Sequence, residues 1–190
     1  MQVFQLLRQG GIILGAILLP NLGVAQEVIG HFEQLLYIGY SLTFFWVAGL
    51  VQGMLSSYSD HSKLNQERFL FNAYLLFFVI SGVLSLLMWS FPDLVFALLP
   101  HGTELPYYAL FVLYLLLNTP TFLLENILML RGKFKPVYYY GLFSFGAYLL
   151  ALIVPVLWGG SFYWVIVGLI VMALIKHFYL IALVARSRNT

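Results

Sequence analysis

Residues 106–130, PYYALFVLYLLLNTPTFLLENILML, decide the fold class. Glu125 is the one charged residue in this stretch, and a helix of this length spans the hydrocarbon core of a bilayer. The apolar residues run continuously instead of alternating, which is not the pattern of a membrane β-barrel strand. Because backbone polar groups within lipid must be satisfied inside the segment, we predict a transmembrane helix here.

The same pattern recurs along the whole chain. Of the 190 residues, 62% are hydrophobic and 8% are charged, whereas about 25% are charged in an average soluble domain. Six apolar stretches separated by polar breaks predict six spans, at about 3–24, 33–57, 69–90, 106–130, 137–157 and 162–185. The predicted fold is therefore all-α: a single domain, residues 1–190, formed by a bundle of six transmembrane helices.

The basic residues predict the orientation of these spans. They lie before span 1, between spans 2 and 3, between spans 4 and 5, and in or after the second half of span 6. They are Arg8, Lys63, Arg68, Arg131, Lys133, Lys135, Lys176, Arg186 and Arg188. The loops after spans 1, 3 and 5 contain no Lys or Arg, so the positive-inside rule places both termini in the cytoplasm.

A cleaved leader is an alternative reading of the first span. Gly23, Val24 and Ala25 precede Gln26 and are as small as a signal peptidase requires. Cleavage there leaves five spans with the same orientation. Since the other spans already direct the chain to the membrane, we favour an uncleaved first span.

Span 4 carries a polar stripe. Tyr114, Asn118, Thr121 and Glu125 recur at intervals of four, three and four residues, which places them on one face of a helix. Pro120 lies beside the stripe and lacks a backbone N–H, so we expect a kink or a local opening.

Glu125 has two interpretations. Ionisable groups within a membrane usually face a bundle interior or a water-filled cavity, which favours a proton- or cation-sensitive site or a polar substrate path. Alternatively, Glu125 is a structural carboxylate paired with Lys176 or Arg131. The sequence leaves both open.

Two other spans have a possible role in packing or in the same cavity. Gly49 and Gly53 in span 2, and Gly11 and Gly15 in span 1, have the spacing that allows close helix–helix approach. Gln52 is expected either to join this packing or to line a cavity with the span 4 stripe.

The sequence contains no recognisable catalytic or metal-binding motif. The chain has no cysteine, and no H-E-x-x-H, G-x-S-x-G, P-loop or G-x-G-x-x-G pattern. The polar residues that come nearest to a metal site are Glu27, His31, Glu33, His101 and Glu104, and no spacing fixes a coordination geometry. We therefore predict no enzyme, no metal, no cofactor and no nucleic-acid partner.

The order of features resembles the amino-terminal half of the multidrug/oligosaccharidyl-lipid/polysaccharide flippase superfamily, in its O-antigen and polysaccharide-unit branch. Three stretches carry the resemblance: LLPNLG at 18–23 leading to GHF at 30–32, AGLVQGMLS at 48–56, and LENILMLRGKFK at 124–135. The outer turn departs from the family pattern at Pro20-Asn21 and Gln26-Glu27.

The resemblance implies a two-lobed transporter in the bacterial inner membrane that flips a lipid-linked saccharide by alternating access. By helix and depth, it places the substrate cavity at Arg8, Gln52, Asn118, Thr121, Glu125 and Lys176. The family has twelve to fourteen spans, so the resemblance also implies a second six-helix lobe. A truncated chain, a partner chain and a homodimer all remain open as its source. The alternative function is a non-transporting scaffold in an envelope-polysaccharide complex.

Overall fold

The computed structural model describes residues 2–60, 62–99 and 104–186, with side chains for 10–59, 62, 65–99 and 104–185. These ranges are helical and contain no strand. The α-helices are α1 Gln2–Asn21, α2 Gln26–Ser57, α3 Lys63–Ser90, α4 Pro92–Phe96, α5 Tyr108–Asn118, α6 Leu123–Leu130, α7 Phe134–Leu157 and α8 Phe162–Arg186. The prediction of an all-α fold is confirmed.

Within the described ranges, five helical segments are long and apolar enough to cross a membrane. They are Gln26–Ser57, Asn65–Ser90, Tyr108–Leu130, Phe134–Leu157 and Phe162–Ala185, and the third combines α5 and α6. In helix α1 the side chains are described only from Gly10 onward. The segment Gly10–Asn21 is apolar but shorter than the other five. Predicted spans 2 to 6 are therefore found, whereas the first predicted span, at about 3–24, is not shown.

Two helices begin earlier than their apolar stretches. Helix α2 begins at Gln26 instead of near 33, and α3 begins at Lys63 instead of near 69. Glu27 lies in the first turn of α2, where the helix dipole favours a negative charge. An apolar run predicts only the lipid-facing length of a helix, whereas its polar first turns continue beyond that length.

The last turns of two helices are closed by glycine. Gly132 after α6 has φ +67° and Gly159 after α7 has φ +68°, a left-handed conformation that glycine adopts without a Cβ clash. The N–H of Lys133 then donates to Leu128 O, and that of Gly160 to Pro155 O, at 2.9 Å each. These bonds satisfy carbonyls at helix ends that would otherwise lack a partner.

Helices α5 and α8 pack against each other at the centre of the bundle. Helix α7 packs on α8, α1 packs on α7, and α3 packs on α5 and also contacts α8. Helix α2 contacts α1, α5 and α6. The central position of α5, α6 and α8 means that their side chains decide what the interior contains.

The interior has two separate apolar clusters. The first is built around Leu35, Phe111 and Ile166, and the second around Phe77, Leu124 and Leu180. The second lies toward the basic end of the bundle, which we define as the end that holds the α2–α3 and α6–α7 connections and the end of α8. Along α5–α6 and α8, buried polar residues separate the two clusters.

The outer surface of the bundle is apolar. Phe45 is 79% exposed and Trp158 is 84% exposed, and Phe44, Leu86 and Phe178 are each 66% exposed. Water-soluble proteins do not present large aromatic and aliphatic side chains at this density. Together with the five long apolar helices, this surface indicates a membrane protein.

Candidate functional site

The span from Tyr108 to Leu130 is broken in its middle. Helix α5 ends at Asn118, residues Thr119–Phe122 form a 3₁₀ turn, and α6 then continues the span. Pro120 lies in this turn, where it has no N–H to donate and its ring opposes a continuous α-helix. The opening expected beside Pro120 is therefore a single 3₁₀ turn.

Threonine side chains donate to two carbonyls at the break. Thr119 Oγ1 donates to Leu115 O at 2.7 Å, and Thr121 Oγ1 donates to Asn118 O at 2.6 Å. Leu115 O also accepts the backbone N–H of Thr119. Part of the polar character of this span is therefore used in bonds to its own backbone.

A cavity of about 90 Å³ lies beside the break. All four residues of the predicted stripe line it: Tyr114, Asn118, Thr121 and Glu125. The remaining walls come from α1, α2, α7 and α8. Since one water needs about 10–15 Å³ measured in this way, the cavity has room for several waters. The stripe faces this polar space within the bundle.

Lys176 reaches the same cavity from α8. Its side chain is 7% exposed, and Nζ donates to Asn118 Oδ1 at 2.7 Å. An ammonium group in a membrane interior is costly unless polar groups surround it. Lys176 and Asn118, both proposed for the substrate cavity, are thus in direct contact.

Glu125 lines the cavity from the first turn of α6 and is half-buried. Of the two cations considered as its partner, Arg131 is engaged elsewhere, in an ion pair of 2.6 Å with Glu67. Lys176 shares the cavity with Glu125. A cation and a carboxylate therefore both line this polar space.

The ion pair of Arg131 ties together three helices at the basic end. Arg131 follows α6, Glu67 lies in α3, and Arg131 Nη1 also donates to Leu183 O of α8 at 3.2 Å. Tyr58, in the connection before α3, lies close enough to respond to these charges. Burial raises the pKa of the Tyr58 hydroxyl, the Glu67 carboxylate raises this pKa further, and the Arg131 guanidinium lowers it.

One proposed cavity residue lies elsewhere. Gln52 is exposed on α2 and is not among the residues that line the cavity. At 100° per residue, Gln52 lies about 200° around the helix from Met54, which is the buried residue of that turn. The side chain of Arg8 lies outside the described residues.

The four glycines proposed for packing divide into two pairs. A Cβ on Gly11 would lie 3.2 Å from Phe145, and one on Gly15 would lie 2.8 Å from Leu152, so α1 closely approaches α7 at both. In contrast, Gly49 and Gly53 lie on an exposed face of α2, and a Cβ on either would meet no atom within 4 Å.

The close approach of α2 to the bundle is at Gly39, which sequence reasoning missed. A Cβ there would lie 2.8 Å from Leu115 Cδ2 and 3.1 Å from the Phe111 ring. Gly39 has no glycine partner four residues away, and the available signal was the broader small-residue pattern that it forms with the buried Thr43.

Aromatic side chains form much of the cavity wall, and this was also missed. Tyr40 of α2, with Tyr140, Ser144 and Tyr148 of α7, line the cavity. With 13 tyrosines in the chain, no single one stands out. The available signal was the recurrence of Tyr140, Ser144 and Tyr148 every four residues, which places them on one face of α7.

Among the residues that the structure describes, no group of three or more His, Asp or Glu side chains has a metal-binding arrangement. Of the polar residues considered for a metal site, His101 lies outside the described residues.

Comparison with known proteins adds no assignment. No protein-family model matches the chain, and no curated protein or solved structure is significantly similar to it. The resemblance to the flippase superfamily stays a prediction from the sequence, and the function has to be argued from the cavity.

Proposed function

We propose that this chain is one lobe of a membrane transporter that moves a lipid-linked saccharide across the bacterial inner membrane by alternating access. The observation that carries the proposal is the polar cavity within the bundle, where Lys176 binds Asn118 and Glu125 forms part of the wall. Buried ionisable groups that line a cavity between membrane helices usually belong to a substrate or ion path.

The chemistry of the cavity wall suits the head of such a lipid. Lys176 offers a cation for a phosphate oxygen, and Asn118 and Thr121 offer groups that hydrogen-bond to hydroxyls. The rings of Tyr140 and Tyr148 provide flat apolar surface beside these polar groups, a combination typical of small-molecule sites.

The size of the cavity bears on the number of lobes. A volume of about 90 Å³ holds a few waters, whereas pockets for small ligands measure about 300–1,000 Å³. A saccharide unit therefore needs a wider space. In this proposal that space forms between this lobe and a second six-helix lobe, supplied by a longer chain, by a partner chain or by a second copy.

Binding of a labelled substrate analogue tests the part of the site that this lobe supplies, which is the Lys176 side of the cavity. We expect the full chain in nanodiscs to bind a fluorescent polyprenyl diphosphate-linked sugar, and Lys176→Gln to weaken binding at least about tenfold, because a hydrogen bond to a charged group contributes about 1.5–3 kcal/mol. Fluorescence anisotropy measures the Kd.

Lys133→Gln is the matched control, since Lys133 is an exposed cation outside the cavity. It is expected to leave the Kd within about twofold of wild type, well under the tenfold that 1.4 kcal/mol represents. Equal binding by wild type and Lys176→Gln would remove Lys176 from the substrate site. Absence of binding by the wild-type chain would count against the proposed function itself.

The orientation is a separate part of the proposal, and the absence of cysteine makes it easy to test. Lys133→Cys and Ser161→Cys place single thiols at exposed positions in successive connections. With the basic end in the cytoplasm, a membrane-impermeant maleimide added to spheroplasts is expected to label Ser161→Cys. Lys133→Cys is expected to react only after lysis. The reverse pattern would show that the bundle is inverted.

A scaffold protein without transport activity is the second candidate, because the exposed face of α2 presents Gly49 and Gly53. Small residues at this spacing allow close association of membrane helices. For this function, the span 4 stripe tolerates substitution, whereas Gly49→Leu disrupts co-purification with other envelope components. The substrate-binding measurement above separates the two candidates.

A further inference from the structure

The break in the central span leaves a backbone carbonyl that the helix itself cannot satisfy. In a continuous α-helix the N–H of residue 120 would donate to Leu116 O, and Pro120 has no N–H. Ser81 of α3 supplies a hydrogen bond to this carbonyl instead. Its Oγ donates to Leu116 O at 3.3 Å, and the residue is 3% exposed. The missing donor is thus replaced from a neighbouring helix.

The next carbonyl is bound by α8. His177 of α8 is 7% exposed, and its Nδ1 lies 3.2 Å from Leu117 O. The other ring nitrogen, Nε2, lies 3.2 Å from the Tyr74 hydroxyl of α3. A carbonyl only accepts, so Nδ1 carries the proton. In the neutral ring Nε2 is then the acceptor for the Tyr74 O–H. One neutral tautomer satisfies both contacts.

The contact of His177 with Leu117 lies next to the cavity contact on both helices. Leu117 precedes Asn118, and His177 follows Lys176. The two helices therefore meet through neighbouring pairs, in which His177 binds the Leu117 carbonyl and Lys176 binds the Asn118 side chain. A change in the angle of the break would displace Asn118 from Lys176.

We propose that the break is a hinge whose angle is set by Ser81 and His177, which act as positioning residues for the Asn118–Lys176 contact. Ser81 replaces the hydrogen bond that Pro120 removes, and His177 ties the adjacent carbonyl to α8. Without these bonds, the free carbonyls would make the observed angle costly, and the two halves of the span would take up several angles. This inference does not depend on the transported substrate.

Spin-label distances across the hinge test it. The chain lacks cysteine, so Ala109→Cys on α5 and Lys133→Cys beyond α6 label two exposed sites about 36 Å apart along the span. The native hinge is expected to give a single narrow distance distribution by pulsed EPR. The label at 133 lies about 20 Å from Pro120, so a change of 15° in the hinge moves it by about 5 Å.

Ser81→Ala removes one oxygen and is the main variant. It is expected to broaden the distribution by about 3 Å or more, and His177→Leu is expected to do the same. His177→Asn retains an N–H donor at the position of Nδ1 and is expected to restore the native width. Ser85→Ala, which changes a buried serine one turn further along α3, is the control and is expected to have no effect.

Pro120→Ala makes the test specific. Alanine restores an N–H for Leu116 O, so Ser81→Ala is expected to have no further effect in the Pro120→Ala background, a coupling that a double-mutant cycle measures. An equal broadening in both backgrounds would show that Ser81 only packs, and would overturn the proposed replacement. Unchanged distributions in Ser81→Ala and His177→Leu would overturn the hinge.

Discussion

Replacement of Gly39 by leucine is expected to lower the free energy of unfolding by about 3 kcal/mol, the upper part of the range for overpacked cores. The Cβ alone would lie 2.8 Å from Leu115 Cδ2, and this methyl group could rotate away. The rest of a leucine side chain would also meet the Phe111 ring, which is 1% exposed, and the gap beside this ring measures only about 10 Å³. Helix α2 would therefore have to move away from α5.

Gly49→Leu is the matched control for this prediction because it makes the same substitution on the same helix. No atom lies within 4 Å of a Cβ at position 49. Since glycine in a helix interior is less favourable than leucine by up to about 1 kcal/mol, Gly49→Leu is expected to be neutral or slightly stabilising. Thermal unfolding of both variants and of wild type in the same detergent provides the comparison.

A loss of stability in Gly49→Leu equal to that in Gly39→Leu would contradict this account of α2. It would mean that the exposed face of α2 is packed in the assembled protein, as the scaffold function requires. The contrast between the two glycines therefore also reports on whether a partner covers α2.

The two glycines show what a sequence can indicate about packing. Gly49 and Gly53 have the expected spacing, whereas Gly39 has no glycine partner at that spacing. The need for glycine at 39 comes from Phe111 and Leu115 on another helix. A spacing rule reads one helix at a time, so it cannot by itself single out a close approach whose cause lies in the partner.

The polar stripe was predictable for a physical reason. Tyr114 to Asn118 and Thr121 to Glu125 are steps of four residues along α-helix, and Asn118 to Thr121 is a step of three across the 3₁₀ turn. Residues three apart eclipse in a 3₁₀-helix. The intervals of four, three and four therefore match an α, 3₁₀, α sequence, and all four side chains line the cavity.

The remaining parts of the site depend on how separate helices are arranged. The sequence offered Lys176 as one of two candidate partners of Glu125 and gave no sign of its bond to Asn118. Ser81 and His177 serve the broken backbone of a helix far from them in the chain, and no pattern within α3 or α8 shows this. The exposed position of Gln52 follows from its phase relative to the buried residues of α2, which only the structure identifies.

The second large effect is expected at the basic end, where charge reversal at Arg131 should destabilise the protein. Arg131→Glu removes the 2.6 Å ion pair with Glu67 and the bond to Leu183 O, and places two carboxylates together. Breaking a buried pair costs about 3–5 kcal/mol. The Glu67 side chain is 27% exposed, so water screens part of this loss, and we expect about 2–3 kcal/mol.

Exchange of the two charges distinguishes the ion pair from the rest of the Arg131 contacts. The double variant Arg131→Glu with Glu67→Arg restores opposite charges, but its glutamate cannot donate to Leu183 O. It is therefore expected to recover about half of the lost stability in thermal unfolding, as a positive coupling in a double-mutant cycle.

Lys133→Glu, at an exposed position two residues further on, is the control and should change stability by less than about 0.5 kcal/mol. A double variant as unstable as the sum of its single changes would show that charge attraction does not join α3 to the end of α6. The packing of Leu124, Leu128 and their neighbours would then be what holds the basic end together.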